Sequence, residues 1–295
     1  AARSILMPLG LVDISCAMPT FAAVSPPSRR THTPRITGDG VHAFSHRRTN
    51  AKLFALIAAA AVAGQKVLDV GAGEGFFSRL LGEHLKARGV TPAAVLRACD
   101  LYPEQFRYPE VPCDGVDAAM QLPYPDAAFD IACSIEVVEH LEDQFHLVRE
   151  LHRILRAGGR AFVTTPNLLN INSRLRFLRT GFWLLFDPLP LGTHNPVHLA
   201  GHVHPITFYY LAYLFHRAGF AEVVVHFDRF KKSGTALTIA LSPLLALGWL
   251  GFVLRLRRKM PAVYVENRPL LSRINSWQML RARTVIVEGI KARAI

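Results

Sequence analysis

The chain has 295 residues, about half of them apolar, and 34 Lys and Arg against 22 Asp and Glu give a net charge of +12. This is the composition of a globular protein with one large domain or two small ones. The charge suits an anionic partner: nucleic acid, a phosphorylated substrate or an acidic membrane surface. The alternative is that it reflects only an ordinary solvated basic surface. The well-separated cysteines exclude a disulfide framework and indicate reduced thiols in a cytosolic setting: Cys16, Cys99, Cys113 and Cys133.

The first forty residues predict an arm outside the folded domain. Residues 22–40 are rich in Pro, Ser, Thr and Arg, a composition typical of disorder. The apolar start is interrupted by Pro8 and Asp13 and lacks a clean cleavage site, so we expect no secretory signal. We therefore divide the chain into an arm, 1–40, and one domain, 41–295.

From residue 66 onward, strand-length apolar runs alternate with amphipathic helical patterns. The predicted strands are 66–70, 93–100, 111–116, 129–134, 160–166, 221–230 and 282–290. The predicted helices are 76–89, 142–159 (with Phe145 facing inward and Gly158 and Gly159 ending it) and 206–220. This alternation predicts an α/β fold: a doubly wound, Rossmann-like sheet of seven strands, mostly parallel with an antiparallel last strand.

A glycine loop, GAGEG, follows Asp69 at the end of the first predicted strand. At the carboxyl edge of an open α/β sheet, such glycines let the backbone approach a ligand and turn into a helix. Phe76 occupies the place of the third glycine of a dinucleotide fingerprint, and the absence of GK[ST] excludes a P-loop. Asp100 ends the second strand, where an acid can bind ribose hydroxyls or simply begin a turn.

Four segments in order resemble the motifs of class I S-adenosylmethionine-dependent methyltransferases: VLDVGAGEGFFSRLL, CDLYPEQF, VDAAMQLPYPDAAFDIACSIEVVEHLED and LHRILRAGGRAFVTTPN. The resemblance covers 65–167 and extends loosely to 230. Within this family, the chain is similar to the ubiquinone-pathway O-methyltransferase group. It implies S-adenosylmethionine as cofactor, with Asp100 on the ribose and Asp117 on the adenine amino group. The cofactor-binding residues that it implies are Asp69, Gly71, Ala72, Gly73, Gly75, Asp100, Leu101, Asp117, Ala118 and Ser134.

The segment SIEVVEHLED supplies candidates for a base or a metal site. If it opens a helix, Glu136, Glu139 and His140 share one face. Methylation of a hydroxyl needs a base, so Glu136, His140 and the downstream His202 are the catalytic candidates. A similar ExxEH with a distant histidine in small-RNA 2′-O-methyltransferases implies a divalent metal on Glu136, Glu139, His140 and either His204 or His202. Alternatively, these residues only shape the cofactor pocket.

The segment after the fifth strand, 167–205, resembles an acceptor-site lid in its position. Arginines alternate with Leu, Phe and Trp over 167–192, which suits an amphiphilic acceptor with an anionic head. The alternative is a helix packed on the domain with a solvated basic face. Four histidines follow and are interpreted as lining of the acceptor site: His194, His198, His202 and His204.

Residues 236–254, ALTIALSPLLALGWLGFVL, carry no charge and have basic residues at both ends. About 20 apolar residues suffice to span a bilayer. However, Pro243 interrupts the stretch, and a single span would separate the last two strands of one sheet. We therefore expect a monotopic, membrane-facing insertion, 233–280, with its apolar side in lipid and its basic residues at the headgroups. The alternative is an additional core helix or dimer-interface helix.

These features predict an S-adenosylmethionine-dependent methyltransferase in the cytoplasm, acting on a hydroxyl of a lipid-like or lipid-linked acceptor at the inner face of the membrane. One alternative is an enzyme for nucleic acid or a soluble natural product, which the charge allows and the apolar insertion disfavours. Another is a non-catalytic membrane-associated protein that kept the fold. The intact glycine loop and Asp100 disfavour this last reading.

Overall fold

The computed structural model describes residues 40–189 and 201–293. Nearly all of the predicted arm, together with His194 and His198, therefore lies outside the described residues. The helices and strands of the described ranges are, in chain order, α1 (Arg47–Val62), β1 (Val67–Val70), α2 (Phe76–Lys86), α3 (Pro92–Val95), β2 (Leu96–Asp100), β3 (Cys113–Gly115), β4 (Phe129–Ile135), α4 (Gln144–Ile154), β5 (Leu155–Pro166), α5 (Ile171–Thr180), α6 (Phe208–Ala218), β6 (Phe220–Phe227), α7 (Lys232–Lys259), α8 (Pro261–Ile274), α9 (Trp277–Arg281) and β7 (Thr284–Lys291).

The seven strands form one sheet in the order β3-β2-β1-β4-β5-β7-β6. Strands β1 to β5 pair in parallel, and β7 pairs antiparallel with both β5 and β6. Strand β6 therefore runs in the same direction as β1 to β5, and the carboxyl ends of these six strands meet at one edge. The predicted mostly parallel sheet with an antiparallel last strand is confirmed. Its strand order reverses between β1 and β4, where the glycine loop begins.

Apolar side chains cover both faces of the sheet. On one face, α1 and α2 pack over a cluster that includes Ile131 of β4. On the other face, α4 and α6 pack over a cluster that includes the next residue, Ala132. Because both faces are buried, the central strands read as nearly continuous apolar runs in the sequence.

Two segments of the N-terminal half differ from the sequence-based expectation. Helix α1 was not predicted; it begins after His46, whose side chain accepts a hydrogen bond from the N–H of Arg48. Residues 93–95, predicted to begin the second strand, belong to a helical turn, Pro92–Val95, with proline in its first position, and the strand begins only at Leu96. Proline is favoured at that position because its fixed φ suits a helix start.

Helix α4 is shorter than predicted at both ends. It begins after Asp143, whose carboxylate accepts a hydrogen bond from the N–H of His146, and it ends at Ile154. Phe145, predicted to face inward, is 44% exposed because it lies in the first turn, away from the sheet. Gly158, predicted to end the helix, lies within β5 instead, and its φ of +78° accompanies a register shift between β4 and β5.

The insertion between β6 and β7 consists of α7, α8 and α9. Helix α7 has 28 residues, about 42 Å at 1.5 Å per residue, and α8 packs beside it after a turn at Met260. Helix α7 is the described helix that is long and apolar enough to cross a membrane, and 6% of its apolar window is buried. Since β6 and β7 pair antiparallel in one sheet, the insertion begins and ends at the same edge of that sheet.

Candidate active site

The glycine loop between β1 and α2 is held by contacts from neighbouring elements. Gly71 has φ +74°, and a Cβ on it would lie 2.3 Å from Cγ2 of Val137, so no larger residue fits without a shift. The N–H of Gly73 donates to Oδ2 of Asp100 over 2.8 Å, and the N–H of Tyr102 donates to Oδ1 over 2.9 Å. Asp100 thereby ties the loop after β1 to the end of β2.

Asp69 lies buried beneath the loop. Its Oδ2 accepts a hydrogen bond of 2.7 Å from the hydroxyl of Ser78, in the first turns of α2. The pKa of Asp69 is raised to about 6, chiefly by burial. The hydrogen bond from Ser78 opposes this shift, and the nearby charge of Asp100 adds to it. Gly75 caps α2 in the left-handed conformation. The bond between Asp69 and Ser78 and the left-handed turn at Gly75 therefore hold the junction between the loop and α2.

A cleft with about 350 Å³ of empty space, including its open mouth, lies over the loop. It is lined by His42, Ala43, Phe44, Ser45, Asn50, Asp69, Gly71, Ala72, Gly73, Phe76, Phe77 and Ile135. The segment 42–45 forms one wall: the N–H of His42 donates to Oε2 of Glu74 over 2.9 Å, and the ring of Phe44 lies over Gly73. No sequence motif marks this wall, so its place beside the glycine loop could be found only from the structure.

The ten predicted cofactor residues are distributed unequally around this cleft. Asp69, Gly71, Ala72 and Gly73 line it, while Gly75 begins α2 and Asp100 holds the loop. The remaining four also lie outside the lining residues. Leu101 is 43% exposed, and Asp117 is exposed and accepts a 2.8 Å hydrogen bond from the N–H of Ala119. Ala118 packs against the core, and the buried hydroxyl of Ser134 has no hydrogen-bond partner among the described residues.

The segment after β4 does not open an α-helix. Glu136 has φ +55°, and its N–H donates to the hydroxyl and the carbonyl of Thr164 at 3.0 and 3.2 Å. A single 3₁₀ turn, Val138–His140, follows. The left-handed backbone at Glu136 interrupts the helical geometry that would have placed the two glutamates and the histidine on one face. Tertiary contacts instead bring Glu139 and His140 together with His202, and Glu136, predicted as a fourth metal ligand, is not part of this group.

Glu136 lies between opposing charges. Its pKa is raised to about 7, chiefly by burial. The charges of Arg229 and Arg283 oppose this shift, and the charge of Asp228 adds to it. A carboxyl with a pKa near neutrality is suited to accept a proton at physiological pH. The role of Glu136 as a base stays a prediction that this pKa makes chemically consistent.

Glu139, His140 and His202 form a compact group, with one ligand atom from each lying within 4.8 Å of the others. The rings of His140 and His202 meet edge to face, 4.9 Å between centroids. His204 is turned away, with its Nδ1 3.2 Å from the carbonyl oxygen of Glu142. Of the two histidines that the sequence left open, the structure brings His202 to the group.

Residues 43–225 match the family described as methyltransferase domain. The chain belongs to this family. The family that the four sequence motifs predicted is thus confirmed, and the matched range contains the glycine loop, Asp100, the glutamates and the histidine pair.

Individual relatives match shorter stretches. A protein of Mycolicibacterium smegmatis named "Probable S-adenosylmethionine-dependent methyltransferase" is 37% identical over 110 residues, 37% of this chain and 41% of the relative. A ubiquinone biosynthesis O-methyltransferase of Pseudomonas syringae is 32% identical over 144 residues, 45% of this chain and 57% of the relative. The matched part of the chain thus spans about half or less of these relatives' lengths.

A solved structure shows the same fold. The crystal structure of a SAM-dependent methyltransferase from Archaeoglobus fulgidus superposes with a TM-score of 0.51 at 18% identity, covering 82% of this chain and 93% of that one. The Rossmann-like architecture predicted from the alternating strands and helices is confirmed by this likeness.

The group of Glu139, His140 and His202 fits a divalent metal in its chemistry. Both carboxylate oxygens of Glu139 are buried and accept no hydrogen bond from the described residues. Nδ1 of His140 lies 3.0 Å from the carbonyl oxygen of Gly201, a contact that fixes the ring and leaves Nε2 to face a ligand, as is typical of metal-binding histidines. One carboxylate and two imidazoles form a donor set that first-row divalent metals accept.

Proposed function

We propose that this methyltransferase-domain chain binds S-adenosylmethionine in the cleft over the glycine loop and methylates a hydroxyl of a lipid-like or lipid-linked acceptor at a membrane surface. Family membership and the name of the Mycolicibacterium relative support methyl transfer from this cofactor. The name of the Pseudomonas relative, which specifies O-methylation in ubiquinone biosynthesis, supports a hydroxyl acceptor. The observation that carries the lipid part is α7, apolar yet almost wholly exposed.

The residues of the cleft fit this cofactor. A Cβ at Gly71 would meet Val137 and one at Gly73 would meet Phe44, so glycine lets the loop keep its tight shape along the cleft, and the half-buried carboxylate of Asp100 holds that loop. Asn50 and Ser45 offer polar groups on the opposite wall. When bound, S-adenosylmethionine supplies a methyl group already carried by a positively charged sulfur. The chain must therefore orient the acceptor, exclude water and accept one proton.

Two residues can accept that proton. Burial lowers the pKa of His140, so its imidazole is neutral near pH 7, and the contact of Nδ1 with the Gly201 carbonyl leaves the lone pair on Nε2. Glu136, with a pKa of about 7, is the second. If Nε2 of His140 instead binds a divalent metal together with Glu139 and His202, the metal would supply Lewis-acid activation of the hydroxyl, and Glu136 would be the base.

The structure of the insertion favours an α7 that lies in the membrane surface rather than crossing it. Helix α8 leads back from the end of α7, but its 14 residues extend only about 21 Å and include Glu266, Arg268 and Arg273, so it could not recross a bilayer core. Lys231 and Lys232 flank one end of α7 and Arg255, Arg257, Arg258 and Lys259 the other, so both ends suit the headgroup level.

The exposed apolar side chains of α7 are those that would enter lipid. They are 46 to 69% exposed: Ile239, Leu244, Leu247, Leu250, Phe252 and Leu254. Four residues separate the start of α7 from the carboxyl end of β6, which lies at the same sheet edge as the glycine loop. A membrane in contact with α7 would therefore lie near the edge at which an acceptor meets the cofactor.

The experiment has two independent parts. Calorimetry should show saturable binding of S-adenosylmethionine to the full chain, and no heat of binding would contradict the enzyme proposal. Flotation with vesicles of phosphatidylcholine and phosphatidylglycerol should show association that is lost when Leu244, Leu247 and Leu250 are changed to Ser. The control is Phe145→Ser, which removes an apolar group of similar exposure from α4. Unchanged flotation of the triple variant would contradict membrane binding through α7.

A further inference from the structure

A group of basic residues lies where β6 and β7 meet the N-terminus of α7. Arg229 follows β6, Lys231 precedes α7, and Arg283 precedes β7. The main-chain N–H of Arg283 donates to the carbonyl of Arg229 over 3.1 Å, so the two arginines stand side by side across the pairing of β6 with β7. We call Arg229, Lys231 and Arg283 the basic cluster.

The acid nearest to Arg229 is fully engaged in structural contacts. The Asp228 side chain is 0% exposed and pairs with Arg229. Its Oδ2 also accepts the hydroxyl of Thr49 in α1 over 2.9 Å, and its Oδ1 accepts the N–H of Thr284 over 3.1 Å. Asp228 thus ties α1, β6 and β7 together and forms its salt bridge with Arg229, while its charge also acts on Arg283.

Within residues 40–189 and 201–293, neither Arg283 nor Lys231 forms a salt bridge like that of Arg229 with Asp228. Nη1 of Arg283 is buried and makes no hydrogen bond to the described residues, although a buried guanidinium normally satisfies its donors. Arg283 is the main cause of the lowered pKa of Lys231. Burial, followed by the charge of Arg229, lowers the pKa of Arg283 itself. Cations that repel one another in this way form a site in which an anion relieves the repulsion.

The other charged groups around the cluster do not balance it. Burial, followed by the charge of Arg229, lowers the pKa of His46, which precedes α1, so His46 does not offset the cluster. Glu136 faces the cluster and adds at most one negative charge to that of Asp228, against three cations. The surplus of positive charge therefore persists in the folded chain.

The cluster borders the cleft over the glycine loop. Thr49, which bonds to Asp228, is followed by Asn50 of the cleft lining, and Glu136 follows Ile135 of the same lining. On its other side, Lys231 leads directly into α7. The cluster is thus placed between the cofactor cleft and the helix that we assign to the membrane surface.

We propose that the basic cluster binds a phosphate-class group, a mono- or diphosphate ester, carried by the acceptor itself. This inference rests on the proposed function and specifies its substrate class. Planar guanidinium groups match phosphate oxygens in pairs. Because Asp228 neutralises one of the three cations, two positive charges remain, and these suit a dianion better than a singly charged carboxylate. An anchored phosphate would hold the acceptor with its apolar chain toward α7 and its hydroxyl toward the cleft.

Binding of three probes that share one chain, geranyl phosphate, geranate and geraniol, tests this proposal in the full-length protein by calorimetry. Geranyl phosphate should bind at least about tenfold more tightly than the other two. Arg283→Gln should weaken binding of geranyl phosphate by about tenfold or more, because the phosphate loses a partly buried guanidinium partner. Lys231→Gln should weaken it only about threefold, because the side chain of Lys231 is more exposed. Arg88→Gln, a charge-matched control at the end of α2, should leave binding unchanged.

Three results would overturn the proposal. Equal binding of geranate and geranyl phosphate would exclude phosphate selectivity. Inorganic phosphate that binds as tightly as geranyl phosphate would indicate a site for free phosphate. Flotation on phosphatidylglycerol vesicles that falls with Arg283→Gln while geranyl phosphate binding stays constant would assign the cluster to a lipid headgroup.

The proposed function is tested separately in the same variants. S-adenosylmethionine affinity should be the same in the wild type and in Arg283→Gln, and thermal melting shows whether the variant is folded. If the cofactor binds and geranyl phosphate does not, the cluster inference alone fails. If geranyl phosphate binds and the cofactor does not, the proposed methyl transfer fails while the anion site stands. Loss of cofactor affinity in Arg283→Gln would instead assign the cluster to the cofactor.

Discussion

The N–H of Gly73 donates to Oδ2 of Asp100 over 2.8 Å, so the acid at the end of β2 holds the glycine loop that follows β1. The two residues are 27 positions apart and belong to neighbouring strands. A carboxylate that accepts main-chain N–H groups on both oxygens orders the loop before a ligand arrives. The position of Asp100 therefore serves both the shape of the cleft and any contact with a ribose.

Asp100→Ala should weaken binding of S-adenosylmethionine by at least about tenfold and lower the free energy of unfolding by about 1–2 kcal/mol, because two N–H groups lose their acceptor. Calorimetry and urea unfolding measure the two effects. Asp126→Ala, at a side chain that is 80% exposed, is the control and should change neither. Unchanged affinity in a destabilised Asp100→Ala would restrict Asp100 to supporting the loop.

Gly71→Ala should destabilise the chain more than Gly64→Ala, although both glycines have positive φ. At Gly64 nothing lies within 4 Å of a new Cβ, so only backbone strain of about 1 kcal/mol is expected. At Gly71 the new Cβ meets Val137, which adds about 1–3 kcal/mol of overpacking. Urea unfolding compares the two variants. Val137→Ala added to Gly71→Ala should recover part of the steric cost but none of the strain, and a failure to recover would exclude the clash as its source.

Asp69→Asn should change the pH dependence of stability. The folded pKa of about 6 lies above the usual 3.8, so the folded chain favours the neutral carboxyl, and that stability is lost as pH rises through 6. The free energy of unfolding of Asp69→Asn relative to wild type should therefore rise by about 3 kcal/mol at most between pH 4 and pH 7. Asp126→Asn is the exposed control. A flat difference across this range would show that burial does not perturb Asp69.

The metal hypothesis distinguishes His202 from His204. Titration of the full chain with Mn²⁺ or Zn²⁺, followed by calorimetry, should show one saturable site that Glu139→Gln and His202→Asn abolish. His204→Asn should retain it, because the ring of His204 is turned toward the carbonyl of Glu142. The readout is metal binding and does not depend on activity. Absence of saturable binding to the wild type would leave Glu139 as a buried neutral carboxyl, consistent with its strongly raised pKa.

Short-range patterns in the sequence predicted the fold because they report local burial. Strands buried on both faces appear as apolar runs, and glycines such as Gly219 mark helix ends where the backbone turns left-handed. The same patterns failed where a tertiary contact decides conformation. Glu136 is left-handed because its N–H bonds to Thr164 on the neighbouring strand, and this contact replaced the expected helix with a 3₁₀ turn.

The sequence by itself determined the α/β sheet, the position of the glycine loop and the membership of residues 43–225 in the methyltransferase domain family, since each depends on neighbouring residues in a recognisable order. Only the tertiary structure decided that His202 rather than His204 joins Glu139 and His140, and that the segment 42–45 forms a wall of the cleft. It also brought Arg229 and Arg283 together across the insertion. These relationships join residues far apart in the chain, and strand pairing, not local pattern, sets the distance between them.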